Sequence, residues 1–197
     1  MIKTKGSARA RGTVAARLSR WMSALVLAGF AGSLLAEGIE IESLSSRLHK
    51  GVYLVDAQIL YQPSKTILDA LEHGVPLTFE VKLDVRRKDA WMWERAVARH
   101  RLRYSLRYHA LVSRYEVFLP DKKVLRYATL EAALRALGGL SDLSLVESAS
   151  LESDEEYELH LGIELDIESL PVPLRPRAYL SSDWSLSYEH RPWLLIR

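Results

Sequence analysis

Two stretches of strict alternation between apolar and polar residues constrain the fold of this chain most strongly. In Leu77–Val85 and Tyr157–Ile167, every second side chain is apolar and most of the intervening ones are charged or polar. Alternate residues of a β-strand point to opposite faces of a sheet, so each stretch predicts a strand with one buried face. Burial on one side only is typical of antiparallel sheets.

Further strands are predicted on both sides of these stretches. Ile39–Leu48 and Val52–Tyr61 alternate around His49-Lys50-Gly51, which predicts a hairpin with glycine in its turn. Trp91–Ala110 is interpreted as one long, bent strand, although its first residues could also be helical. The proline-rich segment Leu170–Pro176 predicts an extended connection. Shorter strands are predicted at 111–119, 124–127, 143–146 and 179–188.

Two short helices are predicted from their capping residues and apolar stripes. Ser64 and Thr129 are suitable N-caps, and Gly74 and Gly138 are suitable stops. The predicted fold class is therefore mostly β (α+β). A single curved antiparallel sheet and a β-sandwich, each with two short helices, both agree with the pattern.

The N-terminal residues predict an export signal. Residues 1–20 contain six basic residues and no acidic residue, and residues 21–36 are uncharged and largely apolar. This pattern is typical of a signal peptide, or of a membrane anchor if cleavage after Ala36 fails, because Leu34 is not the small residue that cleavage favours. We expect residues 37–197 to form a single β-rich domain. That domain would be periplasmic or exported, or held at the inner membrane only through residues 21–36.

Charge and cysteine content exclude several classes of protein. The net charge of the whole chain is +2, but without the six leader charges 21 Lys and Arg face 25 Asp and Glu. A mildly acidic body is a poor candidate for nucleic-acid binding. Since the chain has no cysteine, it has no disulfide, cysteine nucleophile or lipid-modified cysteine.

Packing and turn residues spread along the body resemble a known family. The chain is similar to the proteobacterial family of domain of unknown function 4390. This resemblance implies an exported protein without assigned activity, and it supplies no catalytic residues. The residues that carry it are Ala70-Leu71, Gly74, Leu77, Trp91, Trp93, Tyr104–Tyr115, Leu170-Pro-x-Pro and Ser182–Tyr188.

No catalytic, cofactor or metal motif was found in the sequence. It contains no Gly-x-Ser-x-Gly elbow, no His-Glu-x-x-His and no glycine-rich phosphate loop. Glu158, His160 and Glu164 share one predicted strand face, but their spacing lets only two converge easily, so a solvated face is the simpler interpretation. We therefore expect no catalytic residues, no metal and no cofactor.

One cationic stripe stands out from the polar background. Its residues occupy odd positions of one predicted strand and would line one face over about 33 Å. They could pair across strands with acidic residues such as Glu158, Glu164 and Asp166, or they could bind an anionic partner. The candidate binding residues are Arg99, Arg101, Arg103, Arg107 and His109.

These observations predict a non-enzymatic binding or assembly module of the cell envelope. Its expected partner is an envelope protein or an anionic envelope surface, and not nucleic acid. An envelope hydrolase with an unrecognised active site is the alternative.

Overall fold

A computed structural model describes residues 38–91, 94–189 and 192–195 of the chain. The signal or anchor predicted for residues 1–36 lies outside these residues. Residues 36–197 group as one compact unit, and the buried apolar side chains form one cluster that runs from Ile39 to Leu195. Within the described residues, no helix has the length and apolar character needed to cross a bilayer.

The strands follow each other in short connections along most of the chain. In chain order they are β1 Gly38–His49, β2 Val52–Gln62, β3 Leu77–Arg87, β4 Ala98–His109, β5 Arg114–Phe118, β6 Val124–Tyr127, β7 Gly139–Glu147, β8 Tyr157–Leu165, β9 Ser187–Glu189 and β10 Trp193–Leu194.

Helical elements are short and lie between the strands. The α-helices are α1 Lys65–Glu72, α2 Leu130–Leu137 and α3 Arg175–Leu180. Single 3-10 turns are formed by Ala110–Val112, Ser148–Ser150, Ile167–Ser169, Val172–Leu174 and Ser182–Trp184.

The strands form two antiparallel sheets that share one core. The smaller sheet has the order β1-β2-β7, and the larger has the order β10-β8-β3-β4-β5-β6, with β9 also paired to β8. Tyr61 of the smaller sheet contacts Phe79 of the larger one, with ring centroids 4.7 Å apart. The predicted mostly β, antiparallel fold class is confirmed.

Strand β3 is the centre of the larger sheet. Its ladder with β4 runs from Leu77 to Val85, and its ladder with β8 runs from Phe79 to Arg87. Its apolar side chains are fully buried, while its polar side chains point to the other face. The burial of one face predicted for Leu77–Val85 is therefore confirmed. It also holds for β8, which ends at Leu165 because Ile167–Ser169 forms a 3-10 turn.

The predicted turn between β1 and β2 is confirmed. His49 pairs with Val52, so the turn has two central residues, Lys50 and Gly51. Both have positive φ, 49° and 80°. Such a backbone matches the twist of a hairpin and favours glycine at the second position.

Both predicted N-caps are confirmed. The Ser64 hydroxyl accepts a hydrogen bond from the Ile67 N–H at 3.2 Å, and Thr129 accepts one from Ala132 at 3.3 Å. Ser64 also donates to the Asp183 carbonyl at 2.6 Å. The cap of α1 therefore fixes the C-terminal segment as well.

The prediction for the C-terminal segment was wrong. The predicted extended connection stops at Pro171, because Val172–Leu174 forms a 3-10 turn. The predicted strand 179–188 is reduced to β9, because Arg175–Leu180 forms the third helix α3. Proline is compatible with the first turn of a helix, where its missing N–H is not needed. The proline content of this segment therefore allowed a helix to start instead of excluding it.

Strands β4 and β5 are shorter than predicted. The described residues between Trp91 and Val97 are not in a strand, and β4 begins at Ala98. At the other end, the 3-10 turn Ala110–Val112 and Ser113, with φ 50°, replace the predicted start of the next strand. A left-handed residue interrupts the extended backbone there.

Gly138 lies at the closest approach between α2 and the smaller sheet. Its carbonyl accepts a hydrogen bond from the Ile59 N–H at 2.9 Å. A Cβ atom at this position would lie 1.9 Å from the Ile59 carbonyl oxygen. Glycine is therefore required by space, since its φ is an ordinary −85°.

We expect Gly138→Ala to lower the free energy of unfolding by about 3 kcal/mol, because strand β2 would have to move away from α2. Urea unfolding followed by circular dichroism measures this loss. Gly139→Ala is the control, since its Cβ would meet its nearest neighbour at an ordinary 3.6 Å. An equal loss in both variants would contradict this account.

Candidate functional site

The outer face of the larger sheet is the candidate site. The polar residues of β3, β4 and β8 point to this face, away from the core. The strand register places Lys82 between Arg101 and Gly162, and Asp84 between Arg99 and His160. Asp84 therefore lies directly beside Arg99, whereas the cross-strand neighbour of Lys82 on β4 is a second cation, Arg101.

The structure places the whole predicted cationic stripe on β4. Arg99, Arg101, Arg103 and Arg107 are exposed on the outer face, and His109 is half-buried at the end of the strand. The prediction that they share one strand face is confirmed. Their role in binding an anionic partner stays a prediction.

Two arginines of the stripe form ion pairs with carboxylates. Arg101 donates to Asp84 on β3 at 2.6 Å, and Arg103 lies 3.5 Å from Asp166 beyond the end of β8. Asp166 was one of the expected acidic partners. The other two are engaged elsewhere, because Glu164 accepts from Lys82 at 2.6 Å and Glu158 lies 3.8 Å from His160.

Asp84 is held in its ionised form by the cations around it. Partial burial acts to raise the pKa of its carboxyl group. The hydrogen bond and charge of Arg101, together with the charges of Arg86 and Arg99, outweigh this and lower the pKa below its usual value. Asp84 is therefore a stable partner for arginine and a poor proton donor.

A groove crosses this face where β8 lacks a side chain. Gly162 occupies an outward position opposite Lys82, and the groove has a volume of about 760 Å³. Its walls carry both signs of charge. The charged and titratable residues that line it are Lys82, Asp84, Arg86, Arg87, Asp89, Arg101, Glu158 and His160.

Of the predicted stripe, only Arg101 lines this groove. Arg107 and His109 lie towards the other end of β4, where Arg107 stands 6.0 Å from the Phe118 ring. Its cross-strand neighbour Glu116 accepts instead from Arg126 at 2.9 Å. The stripe is thus divided into an ion-paired part and a part without a carboxylate partner in the described residues.

The sequence reasoning missed the groove and most of its lining. The available signal was Gly162, which stands at an outward position of an otherwise regular alternation. A glycine inside a strand often marks a place where another group approaches closely. The neighbours of Gly162 on β3 followed only from the strand register, which the sequence did not supply.

No group of three or more His, Asp and Glu side chains in the described part of the chain is arranged to hold a metal ion. Glu158 and His160 are close to each other, but Glu164 interacts with Lys82 instead.

Comparisons with known proteins give one match. A family model described as Domain of unknown function (DUF4390) matches residues 36–194, which is more than half of the chain. No curated protein and no solved structure matches this chain.

We expect Asp84→Asn to lower the free energy of unfolding at pH 7 by about 1 kcal/mol, because the charge-assisted hydrogen bond to Arg101 is weakened. The folded-state pKa of Asp84 is lowered, so its stabilising effect is present above the unfolded pKa of about 3.9 and is lost as the pH falls through the folded value. Urea unfolding across this pH range measures the effect. Asp89→Asn, on the same face, is the control and should show little change.

We expect the double variant Arg103→Glu with Arg107→Glu to retain its stability within about 1 kcal/mol, because both side chains are exposed. A urea melt measures this. Arg101→Glu is a more damaging comparison, because it removes the 2.6 Å hydrogen bond to the partly buried Asp84. A loss of several kcal/mol in the double variant would show that these arginines are structural partners.

Proposed function

Since the chain belongs to the Domain of unknown function (DUF4390) family, whose description assigns no activity, we propose a function from its own geometry. The chain is an exported, non-enzymatic binding module of the cell envelope. It holds an anionic group of an envelope component in the groove on the outer face of its larger sheet.

Export is supported by the leader sequence. Six basic residues precede a 16-residue uncharged segment, and no acidic residue interrupts either part. This order of charge and apolar residues directs a segment into the export pathway and leaves the basic end in the cytoplasm. The body that follows would then fold in the periplasm.

The groove around Gly162 is the observation that carries the binding proposal. Its cations are held in place by neighbouring carboxylates, as Arg101 is by Asp84 and Lys82 by Glu164. Side chains fixed in this way lose little conformational freedom when a ligand binds, so less of the binding energy is lost.

An anionic group is the ligand that these cations fit. The side chain of Arg101 keeps 40% of its surface exposed beside Asp84, and Lys82 keeps 35% beside Glu164. Among the described residues, neither side chain has a second carboxylate within ion-pair distance, and Arg101 also donates to the His100 carbonyl at 3.0 Å. A phosphate or carboxylate can accept hydrogen bonds from both, and a guanidinium can do so with two donors at once.

The alternative, an envelope hydrolase, requires a different chemistry. A general acid needs a carboxyl group whose pKa is raised towards neutrality. The carboxyl group at the centre of this face, Asp84, has a lowered pKa because of its arginine neighbours. The groove therefore favours holding a charged ligand over transferring a proton to it.

The groove can be tested by filling it. We expect Gly162→Tyr to abolish capture of an envelope component by the tagged body, residues 37–197, while its unfolding midpoint is unchanged. The backbone at Gly162 suits any residue, and a Cβ would meet Lys82 at an ordinary 3.7 Å. Tyrosine also favours strands, so its ring would occupy the groove without disturbing the fold.

Ser45→Tyr is the matched control, because Ser45 is an exposed strand residue on the smaller sheet. A component retained by the unchanged body and by Ser45→Tyr, but not by Gly162→Tyr, supports the proposal. Equal retention by both variants would contradict it. A component that is cleaved during incubation would favour the hydrolase instead.

A further inference from the structure

The hairpin between β4 and β5 ends in two exposed apolar side chains. Leu111 is 92% exposed and Val112 is 60% exposed. We call residues 109–114 the hairpin tip. Single exposed apolar residues are common, but two adjacent ones at the end of a hairpin form a small apolar patch whose exposure to water is unfavourable.

The hairpin tip is held in place by its own backbone and base. Residues Ala110–Val112 form a 3-10 turn, and Ser113 closes it in the left-handed conformation, with φ 50°. At the base, His109 pairs with Arg114, and the rings of Tyr108 and Tyr115 lie 4.8 Å apart. The exposure of Leu111 and Val112 is therefore fixed by the structure of the turn.

Two exposed arginines lie on the strands that lead to this apolar patch. Arg107, His109 and Arg114 occupy outer-face positions of β4 and β5, and both arginines are exposed. Among the residues that the structure describes, neither Arg107 nor Arg114 has a carboxylate within ion-pair distance. Nδ1 of His109 is buried and has no hydrogen-bond partner within the described part of the chain.

We propose that the hairpin tip inserts Leu111 and Val112 into the surface of an anionic phospholipid bilayer. Arg107 and Arg114 would lie at the level of the lipid phosphates. Apolar side chains beside basic residues are the combination that binds anionic membrane surfaces. A stable protein interface needs about 800 Å² from each partner, which two side chains at a hairpin end do not supply.

This proposal goes beyond the groove and does not rest on it. The groove around Gly162 uses cations that are already ion-paired, whereas the hairpin tip uses arginines that are not. A membrane contact here would also be independent of residues 21–36. The Gly162→Tyr variant should therefore bind vesicles as well as the unchanged body does.

An acidic residue of α1 opposes the proposed contact. Burial raises the pKa of the Tyr115 hydroxyl, and the charge of Glu72 at the end of α1 raises it further. Glu72 therefore lies close enough to act on the base of the hairpin. Its charge would repel an anionic surface, which gives a variant expected to strengthen binding.

The absence of cysteine allows a direct test with a label. The protein used comprises residues 37–197, which contain the whole described core. In its Leu111→Cys variant, the new cysteine is the sole attachment site for an environment-sensitive nitrobenzoxadiazole dye. We expect its emission to shift to the blue with vesicles of phosphatidylcholine mixed with phosphatidylglycerol, and not with phosphatidylcholine alone. Leu180→Cys is the matched control, because Leu180 is also 90% exposed and should show no shift.

Sedimentation with the same vesicles tests the unlabelled protein. We expect Leu111→Ser with Val112→Ser to weaken binding at least tenfold. Each of Arg107→Gln and Arg114→Gln should weaken it about fivefold, and Glu72→Gln should strengthen it by up to about fivefold. Val172→Ser with Leu180→Ser, which changes exposed apolar residues elsewhere, should bind like the unchanged body.

Several outcomes would overturn the proposal. One is a dye at residue 111 that does not respond to mixed vesicles, or that responds equally at residue 180. Another is equal binding to phosphatidylcholine alone, which would remove the role of the arginines. Binding that the serine variant retains in full would show an electrostatic contact without insertion.

Discussion

The position of β3 between β4 and β8 is the constraint on which the rest of the structure depends. Both of its edges are used in full, so every backbone group from Phe79 to Val85 belongs to a ladder on one side or the other. Its inner side chains from Leu77 to Val85 are almost completely buried. Because a strand alternates, the same ladders also fix the outer side chains. The packing of the core and the pattern of charges on the surface are therefore set together.

How much of the fold could be predicted depends on which of its features are local in sequence. Alternation and capping are local properties, so β2, β3, β8 and the caps of α1 and α2 followed from the sequence. The order of the strands is not local, and neither the two-sheet arrangement nor the pairing of β3 with β8 could be derived. The helix α3 was missed because the three prolines of residues 170–176 predict an extended connection, although proline also suits the first turn of a helix.

The candidate site was predicted only in part, because its residues come from three strands whose pairing is not a local property. The outward direction of Arg99, Arg101 and Arg103 followed from alternation along β4. Their neighbours followed from the register with β3 and the position of Asp166, which no local pattern supplied. The groove needed one further element, the glycine on β8 opposite Lys82. An outward charge could thus be predicted from one strand, whereas a binding surface required three.

The division of the cationic stripe follows from where β3 ends beside β4. In the middle of the sheet, β4 has β3 beside it and carboxylates within reach, so Arg101 is neutralised by Asp84. At the hairpin, β3 has already ended and β5 is the neighbour. Its carboxylate, Glu116, is engaged by Arg126. One regular run of basic residues thereby becomes two surfaces with different electrostatic character.

The topology has a further consequence for how the chain acquires its structure. Val81 pairs with Ile163, and Val55 pairs with Leu143, so β3 and β2 each gain their second neighbour from a segment more than 80 residues later. A chain that emerges N-terminus first holds two half-paired strands until its C-terminal part arrives. High contact order of this kind slows folding and exposes strand edges to other chains. Without a disulfide to join the halves early, β2 and β3 each keep one open edge until β7 and β8 have formed.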